Sequence, residues 1–125
     1  MKRILVIEDD VPLSWLIERM LRDKYAITIT DNGLEASGWL IEGITFDLII
    51  SDIHMPSLNG IELLEHLKES SLFNDIPVII ISSTGDYRQQ CMGLGAFAYL
   101  EKPFEPQQLF AHIEEALGVQ RSIPI

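Results

Sequence analysis

The chain has 125 residues, 47% hydrophobic and 22% charged, a balance that suits one globular domain and excludes a disordered chain. Its 19 acidic side chains outnumber 9 basic ones for a net charge of −10, which argues against direct nucleic-acid binding and suits cation binding. Cys91 is the single cysteine, so no internal disulfide is available, and it reads as a small buried hydrophobe in a reducing, cytoplasmic setting.

Lys2-Arg3 lead into Ile4-Leu5-Val6-Ile7, an apolar run that stops at Glu8-Asp9-Asp10. It is too short for a signal peptide, and no run approaches a membrane span, so no membrane association is expected. The run reads as a central strand. Pro12 suits the first turn of a helix whose inward stripe is Leu13, Leu16, Ile17, Met20 and Leu21. Ala26 to Thr30 alternates Ile27 and Ile29 with threonines, as a half-buried strand does. Asp31-Asn32-Gly33 is a turn, and residues 34–41 predict a second helix carrying Leu34, Trp39, Leu40 and Ile41. Gly38 weakens that helix by about 1 kcal/mol relative to alanine.

Phe46 to Ser51 predicts the third strand, with Asp52 at its C-terminal end. Pro56 forbids the strand to continue. Asn59-Gly60 opens a third helix with Ile61, Leu64 and Leu67 on its face. Val78 to Ile81 is the fourth strand, ending at Ser82-Ser83. A short fourth helix follows Gly85-Asp86 and ends near Gly93 to Gly95. Phe97 to Leu100 is the fifth strand, closed by Lys102-Pro103. Pro106 begins the last helix, with Leu109, Ile113, Ala116 and Leu117 inward and Gly118 as its cap. Strands alternating with helices in this way predict an α/β domain: a flavodoxin-like doubly wound (βα)5 fold with a parallel five-stranded sheet in the order 2-1-3-4-5.

That topology gathers Glu8-Asp9, Asp52, Ser82 and the residues before Lys102 at one edge of the sheet, where ligands of such sheets bind. Clustered carboxylates repel, and a cation relieves the repulsion. Oxygen-only donors suit a hard ion such as magnesium, and the His54 carbonyl, two residues after Asp52, is a further donor. A carboxylate attacking phosphorus forms an acyl phosphate. Lys102 supplies counter-charge to the phosphoryl group and Ser82 a hydroxyl donor, although Ser82 beside Ser83 also reads as a helix cap.

Four stretches carry a family resemblance. They are Ile4 to Asp10; Asp52-Ile53-His54-Met55-Pro56 with Asn59-Gly60 after it; Ser82; and Gly95-Ala96-Phe97-Ala98-Tyr99-Leu100-Glu101-Lys102-Pro103-Phe104. In order, spacing and residue type they resemble the response-regulator receiver domain of two-component signalling, in its chemotaxis-regulator-like form. The resemblance implies a phosphoacceptor receiver domain over residues 1–118 and a tail or linker start over 119–125. It implies that Glu8 and Asp9 hold Mg2+ together with Asp52 and the His54 backbone carbonyl, with Asp10 just outside the coordination. Asp52 would accept a phosphoryl group from a phosphohistidine, and Ser82 and Lys102 would sense it. Tyr99 matches the aromatic switch position, against the plainer reading of a strand aromatic. The Lys102-Pro103 bond is expected to be cis.

This chain departs from the family pattern in places. Ser82 stands where threonine is commoner, and Ser83 where alanine is usual. The interval from Ser82 to Lys102 is slightly short, with the shortening between Thr84 and Gly93. That segment is part of the family's output face, so a phosphorylation-dependent dimer is not carried over directly. Trp15 falls opposite the apolar stripe of its helix and, with Leu13, is a candidate docking position for a partner. The alternative for Trp15 is packing over the stems of Arg19 or Arg22. Trp39 reads as core; His66 and His112 read as surface.

The expected function is a two-component phosphorelay switch and not a turnover enzyme. It takes phosphate from a histidine kinase or phosphotransfer protein and presents an altered face to a downstream protein. Met1 directly before the first strand reads as a natural N-terminus, and no output domain fits in 125 residues, which suggests a free-standing regulator or the receiver part of a larger one. Two other classes remain: a receiver-like interaction module that works without phosphate, and a magnesium-dependent aspartyl phosphatase. The phosphatase would need a second acid where this chain has His54.

Overall fold

The alternation of apolar runs and amphipathic segments resolves into five strands and five helices in the computed structural model, which describes residues 1–54 and 58–118. Met55 and Pro56 of the central motif and the 119–125 tail lie outside the described residues. The strands are β1 (Arg3–Ile7), β2 (Ala26–Thr30), β3 (Leu48–Asp52), β4 (Val78–Ser82) and β5 (Ala98–Glu101). All pair in parallel, in the order β2-β1-β3-β4-β5. The helices are α1 (Val11–Leu21), α2 (Gly33–Ile41), α3 (Gly60–Glu69), α4 (Arg88–Leu94) and α5 (Pro106–Ala116).

Side chains alternate across a strand, so the sheet divides its own residues between two cores. Leu5, Ile7, Ile49, Ile80 and Tyr99 face α2, α3 and α4. Ile4, Val6, Leu48, Ile50, Ile79, Ile81 and Leu100 face α1 and α5. This explains why β1, β3 and β4 are continuous apolar runs: both of their faces are covered. Edge strand β2 is covered less fully, which fits its alternation of isoleucine and threonine. Cys91 is fully buried among apolar neighbours, and that burial pushes its thiol pKa up, away from reactivity.

Local chemistry sets the helix ends. The Asn32 side chain accepts the Leu34 and Glu35 amides, and Asn59 accepts the Glu62 amide. Glu105 N–H donates to Gln108 Oε1 at the start of α5. Gly118, at φ 61°, closes α5 in the left-handed region open to glycine.

Three apolar expectations shift. Leu16 is 48% exposed while Ser14 is buried, its hydroxyl donating to the Val11 carbonyl. The stripe of α1 is thus rotated, because Leu16 faces a groove toward Pro103 and Phe104 and not the sheet. Leu34 and Ile41 are exposed, since the short α2 meets the sheet through Ala36 and Leu40. Strands β3 and β5 begin at Leu48 and Ala98, later than the apolar runs, although Phe46 is buried all the same.

Gly60 decides how closely α3 approaches the end of β3. A Cβ there would lie 2.2 Å from the Asp52 carbonyl oxygen and 3.0 Å from Ile53 Cα, both backbone atoms that cannot yield alone. Gly38, in the middle of α2, has nothing within 4 Å of a Cβ. Gly60→Ala is therefore expected to lower stability by about 2–3 kcal/mol through overpacking. Gly38→Ala is expected to raise it by about 0.5–1 kcal/mol. Urea unfolding midpoints check both signs.

Candidate functional site

Alternation along the strands, continued one residue past their ends, puts positions 8, 52 and 102 on the face shared by α1 and α5. Glu8 follows the last residue of β1, Asp52 ends β3, and Lys102 follows the last residue of β5. Strand β4 lies between β3 and β5, and the lysine side chain is long enough to cross its end. The Lys102 amide donates to the Ser82 carbonyl at 2.7 Å. Its Nζ lies 3.0 Å from Asp52 Oδ2 and 2.8 Å from Glu8 Oε1. The side chains of Glu8 and Asp52 are almost wholly buried.

The second oxygen of each acid is held by backbone. Glu8 Oε2 accepts the Asp10 amide at 2.9 Å, and Asp52 Oδ1 accepts the His54 amide at 3.3 Å. Glu8 Oε1 is buried and close to Nζ, yet no donor meets it at a hydrogen-bonding angle. Its contact with Lys102 is a close ion pair at 2.8 Å. Asp9 is exposed, and carboxylate oxygens of Glu8, Asp9 and Asp52 lie within 4.8 Å of one another.

One cation among three acids leaves the cluster short of positive charge. Burial pushes Glu8 up to about 7, and the nearby Asp52 charge adds to this; the Lys102 and Asp10 contacts oppose it only in part. Burial alone would pull Lys102 down. Its contacts with Glu8 and Asp52 outweigh that and hold it above its ordinary value. A further cation would relieve the repulsion. The oxygen-only donors, together with a buried carboxylate oxygen that lacks a proper hydrogen bond, fit a hard divalent ion.

Ser82 and Tyr99 point to the other face, with α3 and α4. Ser82 is fully buried, and its Oγ accepts the Thr84 amide at 3.2 Å. Tyr99 is buried too, its hydroxyl donating to the Thr84 carbonyl. The Lys102-Pro103 peptide is cis. The His54 ring is exposed and meets Tyr87 edge-on, with centroids 5.8 Å apart, so its imidazole lies at the rim.

Trp15 is 56% exposed, and the Arg19 guanidinium sits 4.7 Å from its ring centroid. The arginine-packing reading of Trp15 is thus present in the structure. Leu13 is half-buried and lines a groove of about 340 Å³ with Leu16, Met20, Pro103 and Phe104. Trp39 packs against the core. His66 is exposed, His112 is half-buried, and neither joins the carboxylate cluster. Arg88 was not singled out by the sequence. It donates to the Tyr99 carbonyl at 3.0 Å and pairs with Glu101. No local pattern marks a contact between residues 11 and 13 positions apart on different elements.

The description "Response regulator receiver domain" matches residues 4–114. "Probable transcriptional regulator ycf29" of Pyropia yezoensis is 39% identical over 119 residues, which are 93% of this chain and 53% of that protein. The signal receiver domain of a signal transduction histidine kinase from Syntrophus aciditrophicus is 31% identical with a TM-score of 0.86, over 100% of this chain and 97% of that one. The receiver domain of sensor histidine kinase PA1611 from Pseudomonas aeruginosa PAO1 has a magnesium ion coordinated in its active site cleft. It is 27% identical with a TM-score of 0.83, over 94% of this chain and 98% of that one. The chain spans about half the length of the curated relatives it matches. Family match, strand order and the acids gathered at the strand ends agree, and the chain belongs to the response regulator receiver family of two-component systems.

Proposed function

We propose that this domain is a phosphorylation-dependent switch that accepts a phosphoryl group on Asp52. The observation that carries the reading is the placement of Asp52. It is a buried carboxylate at the mouth of the sheet, with Lys102 on one oxygen, a backbone amide on the other and two more acids beside it. Phosphohistidine is the donor chemistry, supplied by a histidine kinase or phosphotransfer protein, the partners of receiver domains in general.

In the transfer, an Asp52 carboxylate oxygen forms a bond to phosphorus as the donor's phosphorus–nitrogen bond breaks. The electron pair of that bond leaves with the imidazole, which takes up a proton, and Asp52 becomes an acyl phosphate. Lys102 stays charged throughout and moves its contact from the Asp52 carboxylate to the phosphoryl oxygens. Ser82 donates its hydroxyl to another of those oxygens. Glu8, Asp9, Asp52 and the His54 carbonyl are the residues that would hold magnesium. Bound there, the ion supplies positive charge against the phosphoryl group.

The protein is thus a phosphoacceptor and not a turnover enzyme, with at most slow self-catalysed gain and loss of phosphate. The output is a changed face for a downstream protein, with phosphorylation-dependent dimerisation as one form of it. Among the described residues no helix is long and apolar enough to cross a membrane.

Intact-mass measurement after incubation with magnesium and acetyl phosphate is expected to show one added phosphoryl group. Asp52→Asn abolishes it, and Lys102→Ala lowers the phosphorylated fraction on the order of tenfold. No adduct on the wild-type chain would favour a module that works without phosphate; rapid turnover of unrelated phosphate esters would favour a phosphatase.

A second expectation follows from Glu8. Between its ordinary value of 4.5 and about 7, the folded chain keeps a proton that the unfolded chain has released. Stability from this group is therefore full at low pH and falls as pH rises through that window. In EDTA, Tm is expected to drop from pH 5 to 7.5, and the drop is smaller in Glu8→Gln. Millimolar magnesium should restore wild-type Tm at pH 7.5 and do less for Glu8→Gln. Equal slopes in the two proteins would show that Glu8 does not set this pH dependence.

A further inference from the structure

Residues 99 and 101 of β5 look toward the same side of the sheet, and α4 covers that side. Arg88, the first residue of α4, places its guanidinium there. Nη1 donates to the Tyr99 carbonyl at 3.0 Å, and Nη2 donates to Glu101 Oε1 at 3.1 Å. The guanidinium carbon lies 4.9 Å from the Tyr99 ring centroid, a cation–π placement. Gly85, in the loop before α4, makes room for the pair, since a Cβ at that position would lie 2.7 Å from Glu101 Oε1.

The ring under Arg88 is tied onward. Tyr99 Oη donates to the Thr84 carbonyl, and the Thr84 amide donates to Ser82 Oγ at 3.2 Å. A hydroxyl has one proton to give and lone pairs to accept with. Ser82 Oγ uses an acceptor site on Thr84, which leaves its proton for another oxygen. The described geometry is therefore one in which Ser82 is held from behind with its donor free. The neighbouring strand end is that of Asp52, whose ladder partner is Ile81, the residue before Ser82.

We propose that Arg88 is a positioning residue for the phosphoacceptor site. Its grip keeps Tyr99 inward, Tyr99 holds the Thr84 carbonyl, and Thr84 holds Ser82 ready to donate to a phosphoryl oxygen. This rests on Asp52 being the phosphoacceptor. Because the grip and the phosphoryl group favour the same arrangement, each strengthens the other, and weakening the grip lowers the phosphorylated population. Arg88 and Glu101 are both half exposed, so their pairing adds little to global stability. The effect of losing Arg88 should appear in the loop and the site and hardly at all in Tm.

The test uses the full chain as wild type, Arg88→Ala, Arg88→Lys and Glu101→Gln. Tyr99 ring resonances are followed by NMR without a phosphoryl donor. The phosphorylated fraction is then measured at fixed acetyl phosphate and magnesium. Arg88→Ala is expected to move the Tyr99 ring toward a solvent-exposed environment and to lower the phosphorylated fraction roughly three- to tenfold. Arg88→Lys keeps a charge for Glu101 but lacks the planar fork, so it falls between. Glu101→Gln leaves the Tyr99 contacts in place and loses least. An Arg88→Ala protein with an unmoved ring, or with a moved ring and an unchanged phosphorylated fraction, overturns the role of Arg88 while Asp52 keeps its own. A wild-type chain that takes up no phosphoryl group overturns the phosphoacceptor reading, and this proposal with it.

Discussion

Lys102 sits between two buried carboxylates, and the arrangement of the whole sheet edge depends on that contact. Glu8, just past β1, and Asp52, the last residue of β3, sit at the ends of neighbouring strands, and burying two like charges there is costly. Lys102 comes from β5 and reaches across β4 to meet both. Its backbone amide is pinned to the Ser82 carbonyl, so the side chain starts from a fixed point. The compensation is incomplete. Glu8 remains well above the usual carboxylate range, and one of its oxygens lacks a proper hydrogen bond. A site with this residual imbalance is suited to take up a cation and then an anion in turn. That sequence of charges is what magnesium and a phosphoryl group would bring.

The sheet also separates the charged cluster from the Thr84 network. Positions 8, 52 and 102 belong to the face of α1 and α5, where the charges meet. Ser82 and Tyr99 belong to the face of α3 and α4. Strand β4 links the two faces, since its last residue is a neighbour of the cluster by backbone and a member of the Thr84 network by side chain. Gly60 contributes from below by letting α3 close against the Asp52 carbonyl. Asp52 is thus packed at the end of a buried strand, while the Thr84 loop is held by a few polar contacts.

Much of this was legible in the order of residues. Continuous apolar runs ending in acids marked β1 and β3, and the crossover rule placed their ends together. Asp52, Glu8, Asp9 and Lys102 could be named because strand ends are local features and topology does the rest. Leu16, Leu34 and Ile41 were misplaced for a physical reason. A short helix shows several apolar stripes, and only its tilt on the sheet selects which one is buried. Arg88 was invisible because it acts across elements, on a carbonyl and a ring that no spacing rule connects. Trp15 was legible as exposed and as a ring that Arg19 or Arg22 could cover; the rotamer selects Arg19.

The decisive observation is where phosphorus is bound. An acyl phosphate on an aspartate is reduced by borohydride to the alcohol, which marks the acceptor permanently. Peptide mapping by mass spectrometry after phosphorylation and reduction is the most direct measurement. The expected result is homoserine at position 52, with Glu8 and Asp9 unchanged. Homoserine at position 9, or reduction product nowhere in a chain that has gained a phosphoryl group, would contradict it.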